Sequence, residues 1–341
     1  LTNKQIDFDS TSFINDLHTS VNLIPQAEEA GSSLASREIK RLYLVGCGAP
    51  YYMFRVIAYW ANLMTDGIEI NNLYPTELLQ LKDTLNEKTA VIFGSHSGKT
   101  SETVQAAKFL QSKPCPSIAV TEFSDSPLAK HIQEVLAYST TKQGYFSSYI
   151  IAQMVVSAFL QKTAKDWRIH EDLKISLSNF PAALADAKEK SMTTAFSHAA
   201  DLQDEKILYI IGTGPMYSTA YVFAVCFLME MQHLHAHPVN AKDFFHGPFE
   251  IVDASTPLIL LLGEGTNRTE AERVRQFCNR HTGGCITYDV KEFAMPGIHP
   301  EIRPMVAPFI LDAALTNLVE RLAILRGHPM DTRRYMGKVD Y

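Results

Sequence analysis

The sequence predicts an α/β fold made of two doubly wound parallel sheets in tandem, and three observations carry that expectation. Short runs of Val, Ile and Leu end in glycine turns and are followed by helical stretches, an order that covers both faces of a parallel sheet. The order occurs twice. Lys206-Ile-Leu-Tyr-Ile-Ile-Gly212-Thr-Gly214 echoes Arg41-Leu-Tyr-Leu-Val-Gly46-Cys-Gly48, and the stretch from Leu258 to Glu272 echoes that from Val91 to Thr103. The chain has 341 residues, 46% hydrophobic and 20% charged, which is room and material for two cores.

Taken in order, residues 1–36 are polar with scattered Phe13, Ile14, Leu17, Val21 and Leu23, which reads as a helical arm that could pack on a partner chain. Arg41 to Gly46 is a buried strand closing on a glycine turn, followed by an apolar helix over Tyr51 to Met64. Thr89 to Ser95 is a second strand with its helix from Thr100 to Gln111, Pro116 to Thr121 a third, and Ser147 to Lys162 a further helix. Ala- and Lys-rich residues from about Asp172 to Asp201 read as connecting helices. The pattern then restarts, with a helix over Met216 to Gln232, strands at Leu258 and Cys285, and a closing helix from Ala307 to Arg326.

Composition limits the partners. A formal net charge of −6 with no basic block argues against nucleic acid and anionic membranes, so a phosphorylated ligand needs a local site. Five cysteines, an odd number with no Cys-x-x-Cys pair, suit reduced thiols of a cytoplasmic protein. No basic-then-apolar leader is visible, and the longest apolar stretch, Tyr149 to Leu160, is too short and too polar to span a bilayer.

Two stretches concentrate chemistry. Glu230 sits in an otherwise apolar helical run, where a buried carboxylate has a raised pKa and can take or hold a proton. Sixteen residues on, His246 precedes Gly-Pro, a turn that lifts its ring off the backbone. Proton shuttling and a core Glu with an unrelated loop His are both open readings. The second stretch, Ser95-His96-Ser97-Gly98-Lys99-Thr100, lies between strand and helix, where free N–H groups and the helix dipole favour an anion. A Ser/Thr-capped helix start explains it equally. It is no P-loop, because Phe93 occupies the position that needs glycine. The counterpart after Gly263 lacks the Ser-x-Ser pair, which favours a phosphate site kept in one lobe only.

Other candidates are weaker. His233, His235 and His237 alternate as zinc ligands on a strand would, but the first falls on the preceding helix, so no metal is expected. Cys47, between two glycines, has no base beside it in sequence and reads as a turn thiol. The tail Asp331-Thr-Arg-Arg-Tyr-Met-Gly-Lys338-Val-Asp-Tyr341 could lie free or fold over a site and deliver Lys338.

Four segments in this order, Cys47-Gly-Ala-Pro-Tyr51, Ser95 to Thr100, Glu230 with Phe-Phe-His246-Gly-Pro, and the Arg-Arg-Tyr-Met tail, resemble the double sugar-isomerase-domain (SIS) proteins from about Arg37 to Tyr341. Within that group the chain looks most like fructosamine-6-phosphate deglycases, relatives of the isomerase half of glucosamine-6-phosphate synthase. It departs from the synthase in lacking a glutaminase domain, in Ala49-Pro50 after Cys-Gly, and in Phe245 before His246. The resemblance implies flavodoxin-like SIS domains at 37–170 and 202–330, joined by helices at 171–201, with the tail 331–341 over the active site. It implies catalytic roles for Glu230, His246 and Lys338. Phosphate and substrate contacts would fall on Ser95, His96, Ser97, Thr100, Gly48, Ala49, Ser147 and Gly337. The implied reaction cleaves a 6-phosphorylated sugar–amino acid adduct, needs no cofactor because nothing is oxidised, and runs in a homodimer or higher oligomer where the histidine can come from the neighbouring subunit. An aldose–ketose isomerase or amino-sugar deaminase would use the same Glu230 and His246. A non-catalytic sugar-phosphate sensor would carry a DNA-binding module, for which residues 1–36 leave little room.

Overall fold

The computed structural model describes residues 8–339, so the first seven residues of the expected arm, together with Asp340 and Tyr341 of the tail, lie outside the described residues. The described chain divides into two compact units. The N-terminal unit comprises residues 14–181 and 297–305, and the C-terminal unit residues 8–13, 182–296 and 306–339.

In the N-terminal unit three short helices, α1 (Ser10–Asp16, which begins in the other unit), α2 (His18–Asn22) and α3 (Ile24–Ala35), precede β1 (Arg41–Gly46). Then follow α4 (Ala49–Met64), β2 (Glu69–Leu73), α5 (Pro75–Leu78), β3 (Thr89–Ser95), α6 (Ser101–Leu110), β4 (Ser117–Thr121), β5 (Glu134–Ala137) and α7 (Gly144–Thr163). The strands form one all-parallel sheet in the order β2-β1-β3-β4-β5. Every residue of β3 and β4 is buried, as expected of central strands covered on both faces.

A single helix, α8 (His170–Leu202), runs from this unit into the next, with Pro181 inside it. Several connecting helices were expected here; the absence of a glycine between residues 170 and 202 lets one helix continue. The C-terminal unit then adds β6 (Ile207–Gly212), α9 (Met216–Val222), β7 (His235–Asn240), β8 (Leu258–Leu262), α10 (Arg268–His281), β9 (Ile286–Asp289) and α11 (Arg303–Leu325), whose first residues belong to the other unit. Its parallel sheet has the order β7-β6-β8-β9. No helix among the described residues is long and apolar enough to cross a membrane.

The arm is tied to its own chain: α3 packs on α7, and Gly31 allows this, since a Cβ there would stand 2.1 Å from the Val155 carbonyl oxygen. Two expectations need correction. Strands β2, β5 and β7 were not anticipated. All three are edge strands; β2 and β7 carry polar residues, and β5 has only four residues, so none shows the longer apolar run of a central strand. Finally, the helix expected to continue to Gln232 changes character. After α9, residues Phe223–Met229 wind as a π-helix, and Glu230 N–H reaches back five residues to the Val225 carbonyl at 3.0 Å. Glu230 therefore closes a widened turn rather than sitting inside an α-helix, and π-turns of this kind concentrate at functional sites.

The C-terminal core also holds an unusual carboxylic acid. Asp312 on α11 is fully enclosed, one of its oxygens has no partner among the described residues, and burial pushes its pKa up to about 7 against the pull of Lys188. The folded state thus keeps a proton that the unfolded chain releases near pH 4. The resulting stabilisation is full below pH 4 and fades as pH rises toward 7. Asp312→Asn should flatten the pH dependence of the melting temperature between pH 5 and 8 and add ~1–3 kcal/mol at pH 8. A mutant slope equal to the wild-type slope would show that Asp312 is already ionised in the fold.

Candidate active site

Each unit carries candidate residues of its own. In the N-terminal sheet the strand order reverses between β1 and β3, and the turns leaving these two strands, Gly46-Cys47-Gly48 and Ser95 to Thr100, share the carboxyl end where open α/β sheets bind ligands.

The Ser95 loop is held in shape by its neighbours. The His96 carbonyl accepts from Glu122 N–H at 2.9 Å and from the Thr121 hydroxyl at 3.2 Å, and the Gly98 carbonyl accepts from Leu128 N–H at 2.9 Å. Gly98 has φ +61°, and a Cβ there would lie 2.4 Å from Ser126 Oγ, so both conformation and space demand glycine. Ser95 Oγ and Thr100 Oγ1 stand 3.4 Å apart, and the Ser97 hydroxyl accepts from Lys99 N–H at 3.2 Å. Thr100 precedes α6 but makes no side-chain cap bond. The capping explanation therefore fails for Thr100, and three hydroxyls gather at a helix N-terminus, a setting suited to an anion.

His96 is anchored behind this loop. Its Nδ1 is 2.8 Å from the Tyr138 hydroxyl, which also accepts from Ser148 at 3.1 Å, and its Nε2 is 3.6 Å from Glu122 Oε2. Burial pushes the Tyr138 phenol far above its ordinary range, so it stays neutral. The ring rests on Gly144 at the start of α7, where a Cβ would come within 2.5 Å of it.

Other expected contacts lie on the neighbouring turn and on α7. Gly48 is exposed at φ +59°, and Ala49 begins α4 beside it. Burial raises the Cys47 thiol, which disfavours a nucleophilic thiolate. Ser147 is fully buried on α7, and its hydroxyl has no hydrogen-bond partner among the described residues.

The C-terminal unit supplies the acid–base group. Glu230, half-buried, opens on a cavity of about 730 Å³ lined by Met229, His233, Leu234 and His235 and by the tail residues Arg333 to Met336. Burial raises its pKa, while Arg333, whose Nη2 lies 3.1 Å from Glu230 Oε1, pulls the other way; the net direction is up. The tail is tied to the same turn, because buried Gln232 donates to the His328 carbonyl at 3.0 Å.

Two expected catalytic residues take different places. Lys338 is exposed, is not part of the cavity lining, and donates to the Arg333 carbonyl at 2.5 Å, so its ammonium braces the arginine that faces Glu230. Gly337, at φ +69° and exposed, makes the bend before it. His246 ends a short 3-10 turn, Phe244–His246, with Phe244 buried beneath it and its own ring exposed. It too is outside the Glu230 cavity of its own chain.

The three histidines of the row take different settings, and His233 lies outside the helix expected to hold it. His235 and His237 lie exposed on β7, while His233 sits in the preceding turn at φ +51°, its ring 4.7 Å from that of His328. The described cluster with metal-like spacing is elsewhere, Glu28, His170 and Glu171. There both His170 nitrogens are engaged, with Ser157 and Glu28 at 3.0 Å each, and Lys174 holds Glu28 at 2.6 Å, so the group is already a satisfied structural network. Sequence reading missed Tyr138 and Glu122 behind His96 and the Arg333–Glu230 pair. The arginine doublet of the tail was visible, but nothing in its spacing pointed to a residue a hundred positions earlier.

This chain thus has two parallel α/β units, one with a hydroxyl-lined loop at its switch point and one with a half-buried glutamate closing a π-turn, and comparison with known proteins places it among double sugar-isomerase-domain proteins. The SIS domain family profile matches residues 37–162. Fructosamine deglycase FrlB of Bacillus subtilis is 31% identical over 311 residues, covering 90% of this chain and 94% of the relative. Fructoselysine 6-phosphate deglycase of Escherichia coli K12 is 25% identical, covering 92% and 90%. A Bacillus subtilis crystal structure of phosphosugar-isomerase class superposes with a TM-score of 0.85 at 31% identity, covering 93% of this chain and 100% of that one. The chain belongs to the SIS-domain family that includes the fructosamine deglycase FrlB.

Proposed function

We propose that this enzyme is a deglycase that cleaves a 6-phosphorylated fructosamine to glucose 6-phosphate and free amino acid. One observation carries the reading: Glu230 is half-buried, its pKa is raised by that burial, and it faces a cavity with Arg333 holding it in place. The names of the relatives agree with it, one a fructosamine deglycase and one acting on fructoselysine 6-phosphate.

In a ketosamine the amine nitrogen is on C1 and the carbonyl on C2. Glu230 takes a proton from C1 while the C2 oxygen gains one, giving an enaminol; it then returns its proton to C2 as the nitrogen loses its own, leaving a C1 imine. Water adds to C1, the C1–N bond breaks, and the amino acid departs with its electron pair and a proton. Nothing is oxidised or reduced. The phosphate would dock on Ser95, Ser97 and Thr100, and fixing the sugar there contributes to rate by positioning. His96, backed by Tyr138, would stand beside the phosphate.

His246 would assist ring opening. It is exposed and outside its own chain's Glu230 cavity, and Ile251, five residues on, is a large apolar side chain left 55% exposed. Both features support a homodimer in which each site receives His246 from the partner subunit. Five free thiols suit the cytoplasm as the working compartment.

Ser97→Ala should raise KM about tenfold for a phosphorylated adduct and far less for its unphosphorylated counterpart. Equal effects on both would move the phosphate away from this loop. Release of free amino acid rather than ammonia, followed alongside glucose 6-phosphate, separates the deglycase from a deaminase.

A further inference from the structure

The tail brings two consecutive arginines to the Glu230 cavity, and they are used differently. Arg333 is committed: it meets Glu230 at 3.1 Å and donates to the carbonyls of Met330 and Thr332 at 2.9 and 3.0 Å. Arg334 lines the same cavity, is exposed, and makes no hydrogen bond or ion pair among the described residues.

Around it the charge is one-sided. Burial first, and then the neighbouring His328, Arg334, Arg333 and Lys338, hold the His233 pKa below its ordinary value, and the carboxylate lining the cavity, Glu230, is already matched by Arg333. The His328 Nε2 is buried with no partner among the described residues. In a chain of net charge −6, such an excess of cations beside one cavity is a local arrangement. His233 is kept there by a left-handed backbone, φ +51°, a strained state that persists where surrounding structure enforces it.

We propose that this wall of the cavity is a carboxylate subsite, in which Arg334, with His233 beside it, receives the α-carboxylate of the amino acid being released. The inference rests on the deglycase reading. In an adduct formed through an α-amine, the carboxylate carbon is two bonds from the nitrogen on C1, so it lies next to the carbon that Glu230 works on. Arg333 and Arg334 both line this cavity, so they can meet adjacent parts of one ligand. A guanidinium matches a carboxylate with two parallel hydrogen bonds, which lysine cannot reproduce. The enzyme then selects adducts of amino acids over adducts of plain amines.

The test uses two substrates that differ in that group alone: fructosamine 6-phosphates made from valine and from isobutylamine. Wild-type enzyme should favour the valine adduct in kcat/KM by about ten- to a hundredfold. Arg334→Gln should bring that ratio close to one, and Arg334→Lys should fall between. Circular dichroism checks that the variants fold, and the ratio itself cancels any general loss. If Arg334→Gln lowers both substrates equally, the arginine serves the phosphate or the tail and the subsite is overturned. An unchanged ratio overturns it too. If wild-type enzyme releases neither valine nor isobutylamine, the deglycase reading fails, and the subsite falls with it.

Discussion

Glu230→Gln should lower kcat by about a thousandfold while leaving substrate binding close to wild type. The amide has nearly the volume of the acid and can still accept from Arg333 through its oxygen, so the cavity wall keeps its shape. It cannot accept a proton from C1. Because the lost interaction belongs to proton transfer, kcat and kcat/KM should fall together. Single-turnover release of glucose 6-phosphate, with substrate binding followed separately, reads both quantities. A variant within about fivefold of wild type would remove Glu230 from the proton path.

The environment of Glu230 also sets the acid limb of the pH profile. Only the ionised carboxylate can act as base, so activity should rise with pH through its titration. Burial places that titration above the ordinary carboxylate range, and Arg333 restrains it. Arg333→Met removes the restraint, so its acid limb should move to higher pH. A limb that stays in place would mean that the guanidinium does not act on Glu230.

The second large effect is a recovery of activity. Glu230→Gln and His246→Ala should each be nearly inactive alone. If every site combines Glu230 of one chain with His246 of the other, a mixed dimer has one site with both losses and one site intact. Random mixing makes half the dimers mixed, so unfolding and refolding the two variants together should restore about a quarter of wild-type activity. Both residues belong to the C-terminal unit, yet His246 is absent from the lining of its own chain's Glu230 cavity. No recovery, with mixed dimers demonstrated by differential tagging, would put both groups in one chain.

How much of this could be read beforehand differs from segment to segment. Strands β1, β3, β4, β6 and β8 were legible because a strand covered on both faces must be apolar throughout, and its glycine turn marks the carboxyl end. The Ser95 loop was legible for the same reason, since strand, turn and helix leave one place for an anion. Glu230 stood out as a charge in an apolar run, but its π-turn did not, because a five-residue hydrogen bond leaves no mark in the hydrophobic period. β5 was silent as a half-exposed strand, and with it Tyr138, the residue that orients His96.

The sequence by itself determined two parallel α/β lobes, a hydroxyl-rich loop in one, and a lone carboxylate in the other. These are local properties, set by which residues can lie in a buried strand, a tight turn or an apolar helix. Tertiary structure alone decided that Arg333 faces Glu230, that Arg334 is left over beside it, that Lys338 braces the tail, and that Ser147 is shut away. Each of these depends on groups far apart along the chain, or on the enclosure of a whole helix, and such distances are fixed by packing rather than by any pattern of neighbouring residues.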